Sequence, residues 1–296
     1  MSTLTVKPIR SYLFVPALKS SMLERGAAAG ADALILDLED SVPPAARLDA
    51  RALVVNKLPW LAEKGQRVYV RINRSPYLYD FDDLKAVVGP HLEGIIMSKP
   101  IGPEDVECLS MMLSEVEHQK GVMVGSTRLV PTLETARSMQ MAYELALCER
   151  VSALAGPMAK NGDSARALGC DWSMEGRESL YLKSRVVMAA RAAGKAPIGG
   201  LWQQVHDLEG LATFLARERE LGIAGQMILH PSNVAPTNKA FSPTPEEVAF
   251  YQGMIDAHEA SVAEGKASCI YEGDHIDIAH VQTAREIVAL AASFDA

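Results

Sequence analysis

The chain has 296 residues, of which 48% are hydrophobic and 22% charged, and its formal net charge at pH 7 is −8. Such a composition is typical of a soluble globular protein with a sizeable core, and no apolar run comes near the ~20 residues that a membrane helix requires. Because the net charge is negative and no run of Lys or Arg is present, we expect no nucleic-acid partner. An anionic substrate would need a local cationic pocket.

Two features of the sequence bear on the cellular compartment. Residues 1–10 lack the apolar segment of a secretory signal, so we expect a cytoplasmic protein. The four cysteines lie far apart and form no CxxC pair, which predicts buried or spare thiols in place of a zinc site or a disulfide framework.

Short apolar runs alternate with longer amphipathic stretches along the chain. The runs predict eight strands, at Tyr12–Pro16, Ala33–Asp37, Val68–Asn73, Gly94–Pro100, Arg128–Glu134, Val151–Gly156, Ala196–Leu201 and Gln226–Pro231. The helix-like segments between them include Met22–Ala29, Asp83–Val88, Glu104–Gln119, Thr135–Cys148, Arg177–Ala193 and Leu208–Leu221. This alternation indicates βαβ units and a parallel sheet. Eight units without a break in composition favour a closed (β/α)8 TIM barrel.

The barrel does not account for the end of the chain. We assign residues 1–240 to a catalytic barrel and residues 241–296 to a C-terminal extension. Pro243–Glu247 begins a long helix with proline in an N-terminal turn, and Gly273–Asp277 precedes a final helix. The extension is expected to be a lid or an arm that packs on a neighbouring subunit.

Charged and metal-competent side chains are concentrated where the predicted strands end. In chain order they are Asp37, Glu39, Asp40, Arg71, Asn73, Lys99, Glu134, Asp163 and His230. In barrels of this type the catalytic groups lie at the carboxyl ends of the strands and on the loops that follow. The strands carry few charges elsewhere, so we expect the active site at this end.

Each of these residues also has an ordinary structural explanation. Asp37–Asp40 could be a helix-capping loop, and Glu134 could interact with the dipole of the helix that it precedes. Arg71 lies in a buried strand, where an arginine requires a partner or a ligand, and this favours a functional role. Asp163 could be a turn residue, Lys99 could be a solvated strand end, and His230 could be a structural histidine.

The donor types favour magnesium. Carboxylates from neighbouring strand ends suit Mg²⁺, which prefers oxygen ligands and usually keeps several waters, whereas no His or Cys cluster suggests zinc or iron. Asp274–Asp277 with His280 has a passing metal-like spacing but is more typical of a polar turn and a helix cap. No GxGxxG, P-loop, HExxH or GxSxG pattern is present.

Several short motifs in fixed order resemble the HpcH/HpaI aldolase family, in its citrate lyase β-subunit-like branch. The motifs are Arg10–Pro16, Ala31–Asp40, Val70–Asn73, Ser98–Pro100, Leu133–Thr135, Leu229–Pro231 and, in the tail, His275–Asp277. The likeness covers nearly the whole chain. It implies a barrel that binds Mg²⁺ through Glu134 and Asp163.

The resemblance also implies an activity. Family members cleave 3-hydroxyacyl-CoA thioesters such as citryl-, malyl- or citramalyl-CoA into acetyl-CoA and a 2-oxo acid, or run the reverse. Coenzyme A is then part of the substrate, and assembly as a homotrimer or hexamer is usual. The implied catalytic residues are Arg71, Asp37, Glu39, Asp40 and, as a proton shuttle on a lid, Asp277. The implied substrate-binding residues are Arg10, Lys19, Arg71, Lys99 and Glu134.

The sequence departs from the family in three places. The loop after the first strand reads Pro16–Ser20 where the family has Pro-Gly-Asn-Arg-Pro, although Lys19 keeps a cation that can pair with a phosphate as a point charge. The loop after the sixth strand is lengthened at residues 157–162, where Lys160 could be a new substrate contact. Gly199 replaces a usual aspartate, and Gln226 replaces a commoner lysine. The metal half of the site is therefore intact, whereas the CoA half is altered.

Three other functions remain open from the sequence. The chain could be a metal-dependent aldolase for a free 2-oxo-4-hydroxy acid, or a β subunit that takes its thioester from an acyl carrier protein within a citrate lyase complex. The C-terminal extension favours a self-contained enzyme, because a closing lid leaves less room for a carrier protein. A pseudoenzyme is disfavoured by the presence of Arg71, Glu134 and Asp163.

Overall fold

Eight parallel strands form the centre of the protein, whose computed structural model describes residues 7–156 and 159–295. The strands are β1 Ser11–Pro16, β2 Ala33–Asp37, β3 Arg67–Arg71, β4 Gly94–Met97, β5 Arg128–Pro131, β6 Ala153–Ala155, β7 Ala196–Gly199 and β8 Gly225–Ile228. They are hydrogen-bonded in the order β5-β4-β3-β2-β1-β8-β7-β6. Every predicted strand is present, with bounds that differ by a few residues.

The two ends of this sheet meet each other. Isolated parallel bridges join Leu129 to Val151 and Thr132 to Ala155, and the amide of Leu133 donates to the carbonyl of Ala155 at 2.8 Å. β5 and β6 are thereby linked and the sheet closes on itself. The predicted (β/α)8 TIM barrel is confirmed.

Helices connect successive strands and cover the outside of the barrel. They are α1 Ser20–Ala27, α2 Arg47–Glu63, α3 Phe81–Val87, α4 Pro103–Gln119, α5 Ala136–Gln140, α6 Ala142–Ala146, α7 Asp163–Leu168, α8 Leu180–Ala192, α9 Leu208–Glu220 and α10 Val234–Ala240. The helix predicted at Thr135–Cys148 is divided at Met141, whose φ of −102° and ψ of 29° leave the helical region. Within the described ranges, no helix is long and apolar enough to cross a bilayer.

The strands are buried on both faces, as parallel strands in a barrel must be. One set of side chains fills the interior, including Tyr12, Ile35, Tyr69, Ile96, Val130 and Ile198. Alternate residues of the same strands pack outward against the helices, including Leu13, Leu34, Leu36, Val70 and Ile95. Because a packed core fills the barrel, the polar groups that end its strands are left at its rim.

The chain divides into two compact units. One is Ile9–Asn238, and the other contains Lys239 and the residues after it, together with Lys7 and Pro8. The second unit contains α11 Pro245–Ala263, the hairpin strands β9 Cys269–Tyr271 and β10 Asp274–Ile276, and α12 Ile278–Asp295. The domain boundary expected at residue 240 stays a prediction, because only separate expression would show that each part folds alone.

Candidate active site

Asp37 and Arg71 end two neighbouring strands and face each other directly. They are register partners at the carboxyl ends of β2 and β3. The Nε of Arg71 donates to Oδ1 of Asp37 at 2.7 Å, and Nη2 donates to Oδ2 at 2.7 Å. This two-pronged, charge-assisted pair fixes both the position and the plane of the guanidinium.

The remaining edge of the Arg71 guanidinium is turned toward the acidic loop. Its Nη1 lies 3.3 Å from Oε2 of Glu39 and 3.3 Å from Oδ2 of Asp40. The guanidinium also lies over the ring of Phe14, 4.9 Å from the centroid. Since only 14% of the Arg71 side chain is exposed, Nη1 is held at the rim in a single orientation.

Asp37, predicted to be catalytic, is only 1% exposed. Besides the two bonds from Arg71, its carboxylate accepts from the amides of Glu39 and Ser41 and from the hydroxyl of Ser41. Burial alone would raise the pKa of Asp37, but these donors reverse the effect and hold it below the usual value. Asp37 is therefore an ionised anchor for Arg71, and its role in catalysis stays a prediction.

Lys99 joins the ends of several strands. Its Nζ lies 3.0 Å from Oε1 of Glu39, 2.9 Å from Oδ2 of Asp40 and 3.6 Å from Oδ2 of Asp163. Its amide donates to Oε2 of Glu134 at 3.1 Å. The predicted substrate-binding lysine is thus a counter-ion within a group of carboxylates, which the loops after β2, β4, β5 and β6 bring together.

Glu134 is partly buried beside this group. Its Oε2 accepts from the hydroxyl of Thr132 at 2.8 Å and from the amide of Lys99, while Oε1 accepts no hydrogen bond from the residues that the structure describes. Burial raises the pKa of Glu134 above its usual value, although its hydrogen-bond donors and the nearby cations oppose this effect. A carboxylate in such surroundings gains from an additional cation.

Asp163 begins α7, and its side chain is 25% exposed. Its Oδ1 pairs with Arg166, and its Oδ2 faces the ammonium of Lys99. Of the lengthened loop at 157–162, residues 157 and 158 lie outside the described residues. The other part is tied to the loop after β7, since Gln203 accepts from the amide of Lys160 at 2.6 Å and donates to its carbonyl at 3.3 Å. The Lys160 side chain is exposed.

The residues at the rim fit a hard divalent cation. Oε2 of Glu39 is buried and accepts no hydrogen bond from the described residues, although Nη1 of Arg71 lies 3.3 Å away, and five carboxylates face three cations, Arg71, Lys99 and Arg166. No group of three or more described His, Cys, Asp or Glu residues is arranged to hold a metal, so waters or substrate oxygens would have to complete the coordination, as Mg²⁺ commonly requires. The carboxylates are Asp37, Glu39, Asp40, Glu134 and Asp163.

Arg10 is not part of this group. It precedes β1, and its Nε and Nη2 donate to the carboxylate of Asp32, just before β2, at 2.8 and 2.7 Å. Both residues lie at the amino ends of the strands, opposite to the candidate site, so the structure does not bring Arg10 together with the other predicted site residues. Lys19 does lie at the carboxyl end of β1, where it is exposed and immediately precedes α1.

Asp277 belongs to the C-terminal unit. Its Oδ1 accepts from the amide of Ala279 at 3.0 Å and lies 2.7 Å from Nδ1 of His280. The hydrogen bond from His280 is the main cause that lowers the pKa of Asp277. The side chain is therefore a carboxylate at neutral pH, able to accept a proton, and its role on a lid stays a prediction.

Steric crowding explains why position 199 is a glycine. A Cβ at this position would overlap Oε1 of Gln226 and Oε2 of Glu218. Both side chains are fully buried beneath the end of β7, where Glu218 forms an ion pair of 2.6 Å with Lys183. An aspartate at Gly199 would therefore displace this buried polar group.

Sequence reasoning missed the residues that support Lys99. Arg74 and Tyr79 are paired in an isolated antiparallel bridge after β3, and Tyr79 donates to the carbonyl of Ser98 at 2.7 Å. Arg74 directly follows the motif Val70–Asn73, which contains predicted site residues at a strand end. This position in the sequence could have identified Arg74.

Curated proteins similar to this chain act, by their names, on malyl-CoA. The (3S)-malyl-CoA thioesterase of Cereibacter sphaeroides strain ATCC 17029 is 28% identical over 284 residues, which cover 96% of this chain and 95% of that protein. The L-malyl-CoA/beta-methylmalyl-CoA lyase of Cereibacter sphaeroides strain ATCC 17025 is 29% identical over 306 residues, with the same coverage of 96% and 95%.

Solved structures share the fold. A citrate lyase from Burkholderia xenovorans LB400 has a TM-score of 0.84 at 19% identity, covering 99% of this chain and 94% of that one. The protein CitE from Mycobacterium tuberculosis, in complex with magnesium, acetoacetate and coenzyme A, has a TM-score of 0.75 at 23% identity, covering 96% and 98%. A family model described as HpcH/HpaI aldolase/citrate lyase matches residues 10–231. The chain belongs to the HpcH/HpaI aldolase/citrate lyase family.

Proposed function

We propose that the protein is a magnesium-dependent carbon–carbon lyase that cleaves, or forms, a 3-hydroxyacyl-CoA thioester such as malyl-, citramalyl- or citryl-CoA. The products of cleavage are acetyl-CoA and a 2-oxo acid. The observation that carries this proposal is the pinned guanidinium of Arg71 beside a surplus of carboxylates at the barrel rim. The names of the two similar curated proteins support a CoA thioester as the substrate.

In this proposal Arg71 binds the oxo-acid part of the substrate. Two of its nitrogens are occupied by Asp37, and this leaves Nη1 directed at the rim, where its contacts to Glu39 and Asp40 are long. During cleavage the hydroxyl oxygen of the substrate becomes the carbonyl oxygen of the 2-oxo acid. A fixed N–H donor stabilises the charge that develops on this oxygen without reorganising during the reaction.

Glu134 and Asp163 are the residues that would hold magnesium, with the loop of Glu39 and Asp40 binding its waters. Mg²⁺, when bound, supplies a Lewis acid that polarises the substrate oxygens and lowers the pKa of the hydroxyl. Thr132 and the Lys99 amide orient Glu134 through its Oε2, so that Oε1 remains the available ligand atom.

The acyl-carrying side of the site rests on fewer contacts. Lys19 is the exposed cation at the carboxyl end of β1, and as a point charge it can pair with a phosphate of coenzyme A. Lys160 is exposed in the loop after β6 and is a second candidate for contact with the substrate. Asp277, from the C-terminal unit, is the proposed proton shuttle, whose carboxylate would accept the proton of the substrate hydroxyl and return it to the acetyl-CoA enolate.

A substrate panel tests the proposal. The purified protein is incubated with Mg²⁺ and each of malyl-, citramalyl- and citryl-CoA, while free 2-oxo acid and free CoA thiol are measured in parallel. A lyase releases 2-oxo acid without thiol, whereas a thioesterase releases thiol without 2-oxo acid. If none of the three esters is cleaved but a free 2-oxo-4-hydroxy acid is, the proposal of a CoA thioester substrate is rejected. Activity only with an acyl carrier protein thioester would assign the chain to a citrate lyase complex.

Oligomeric state and compartment are part of the same proposal. Family resemblance supports a homotrimer or hexamer, which light scattering during size-exclusion chromatography would distinguish from a monomer. The proposed location is cytoplasmic, and the proposed substrate supports it, because coenzyme A thioesters are too polar to cross a bilayer unaided. Fractionation of the source cells would test the location.

A further inference from the structure

Lys99 has an unusual backbone conformation for a residue with a side chain. Its φ is +51°, in the left-handed region, where the Cβ of an L-residue is crowded by its own backbone. It also precedes Pro100, and a residue in that position normally adopts an extended conformation. Strain of this kind persists only where the surrounding structure holds it in place.

The structure around Lys99 does hold it, from both sides of the residue. Arg74 donates through Nη1 to the carbonyl of Lys99, and Tyr79 donates to the carbonyl of Ser98 at 2.7 Å. The two supporting side chains are themselves stacked, with the Arg74 guanidinium 5.0 Å from the centre of the Tyr79 ring. Asp105 fixes the next turn by accepting from the amide of Ile101 at 2.8 Å.

This conformation places two groups of one residue at the candidate metal site. The Lys99 amide reaches Oε2 of Glu134, and the ammonium reaches the carboxylates of Glu39, Asp40 and Asp163 within 4 Å. The held turn therefore couples the orientation of one proposed metal ligand to the placement of a cation beside the other.

We propose that the ammonium of Lys99 is a built-in counter-ion that competes with the divalent cation for these carboxylates and so sets the affinity of the site. This inference rests on the proposed function, because it assumes that Glu134 and Asp163 hold Mg²⁺. Among these carboxylates, Oε2 of Glu39 is buried and accepts no hydrogen bond from the described residues, although Nη1 of Arg71 lies 3.3 Å away. The acidic group therefore keeps oxygen atoms available to a metal ion beyond those that Lys99, Arg71 and Arg166 satisfy.

The competition has a physical basis in distance. A cation that uses Asp163 must enter the field of an ammonium that lies 3.6 Å from the same carboxylate. The Lys99 side chain is 26% exposed, so solvent screens the repulsion between the ammonium and a divalent ion in part. At such short separations the remaining repulsion is still substantial. Removal of the ammonium should therefore tighten metal binding by about tenfold or more.

Direct titration with Mg²⁺ and with Mn²⁺, by calorimetry and by electron paramagnetic resonance of free Mn²⁺, tests this inference without reference to turnover. Lys99→Gly is the main variant, because glycine adopts the positive φ without strain and keeps the amide that orients Glu134. Lys99→Met is the second variant, and it removes the charge while keeping the length of the side chain. Lys57→Met is the matched control, since it removes a lysine from an ion pair with Glu24 on an outer helix.

The expected result is a dissociation constant lowered about tenfold or more in both Lys99 variants and unchanged in Lys57→Met. Unchanged or weaker binding in Lys99→Gly, with the wild-type protein binding the metal, would overturn the inference and leave the proposed function standing. Failure of the wild-type protein to bind either ion at millimolar concentration would instead overturn the proposed function, and the inference with it.

Discussion

Replacement of Asp37 by asparagine separates the anchoring of Arg71 from the chemistry of the site. Oδ1 of Asp37 accepts from Arg71 and from the Glu39 amide, and Oδ2 accepts from Arg71 and from Ser41. In either orientation of the asparagine amide, its NH₂ group would therefore face hydrogen-bond donors and could not replace the carboxylate oxygen that accepts from them. The side chain is 1% exposed, and that of Arg71 14%, so solvent cannot relieve the conflict.

The magnitude follows from these contacts. A hydrogen bond to a charged group contributes about 1.5–3 kcal/mol, and breaking a buried ion pair costs about 3–5 kcal/mol. Since asparagine keeps the shape and one acceptor, we expect Asp37→Asn to lower the free energy of unfolding by about 3 kcal/mol. For a domain of this size the melting temperature should fall by about 6–12 °C. The released guanidinium should reduce kcat/KM by about 100-fold, as for other fixed donors at a developing oxyanion.

The assay combines denaturant unfolding with steady-state kinetics on the preferred thioester. Asp32→Asn is the matched control, because Asp32 holds Arg10 in a similar two-pronged pair at the opposite end of the barrel. The control should lose stability but keep kcat/KM per folded molecule. If Asp37→Asn were to unfold more easily and yet retain wild-type kcat/KM, Arg71 would not depend on Asp37 for its position, and the reasoning would be wrong.

Three further outcomes are expected. Glu134→Ala should abolish the dependence of turnover on Mg²⁺, measured by titration after chelator treatment; retained stimulation by the metal would show that the ligand is elsewhere. Asp277→Asn should lower kcat by about 10²–10⁴-fold with little change in KM if it transfers a proton, and undiminished turnover would reject the shuttle. Glu117, buried against Arg150 at 2.7 Å, has its pKa lowered from 4.5 to about 2, because hydrogen bonds from Arg150 and backbone amides outweigh the effect of burial. The ionised Glu117 therefore stabilises the fold above pH 4.5, and this stabilisation is lost as the pH falls toward 2. The free energy of unfolding, measured as a function of pH, should thus decrease less steeply below pH 4.5 in Glu117→Gln than in the wild type.

The architecture was predictable because parallel strands buried on both faces leave continuous apolar runs in the sequence. The grouping of Arg71, Glu134 and Asp163 was predictable for a related reason, since residues that follow barrel strands must meet at one rim. The same rule explains why Arg10, which precedes its strand, lies at the other rim.

Other features depend on contacts that the sequence does not display. The ion pair that buries the Asp37 carboxylate involves Arg71, a residue 34 positions away. The left-handed backbone of Lys99 runs against the extended preference of a residue before proline, and only the donors from Arg74 and Tyr79 make it stable. The division of one predicted helix at Met141 likewise involves a remote residue, because Arg185 donates to the carbonyls of Met139 and Gln140 just before the break.

The closure of the barrel between β5 and β6 has a consequence for its dynamics. Isolated bridges link these strands where continuous ladders join the others, so this seam is the place at which the cylinder should open most readily. Glu134 follows one strand of the seam and Asp163 follows the other. An ion bound by both residues would link β5 to β6 and so stabilise the barrel against local opening between them. Binding of the ion should therefore slow hydrogen exchange at the amides of Leu129 and Leu133, which donate across this junction.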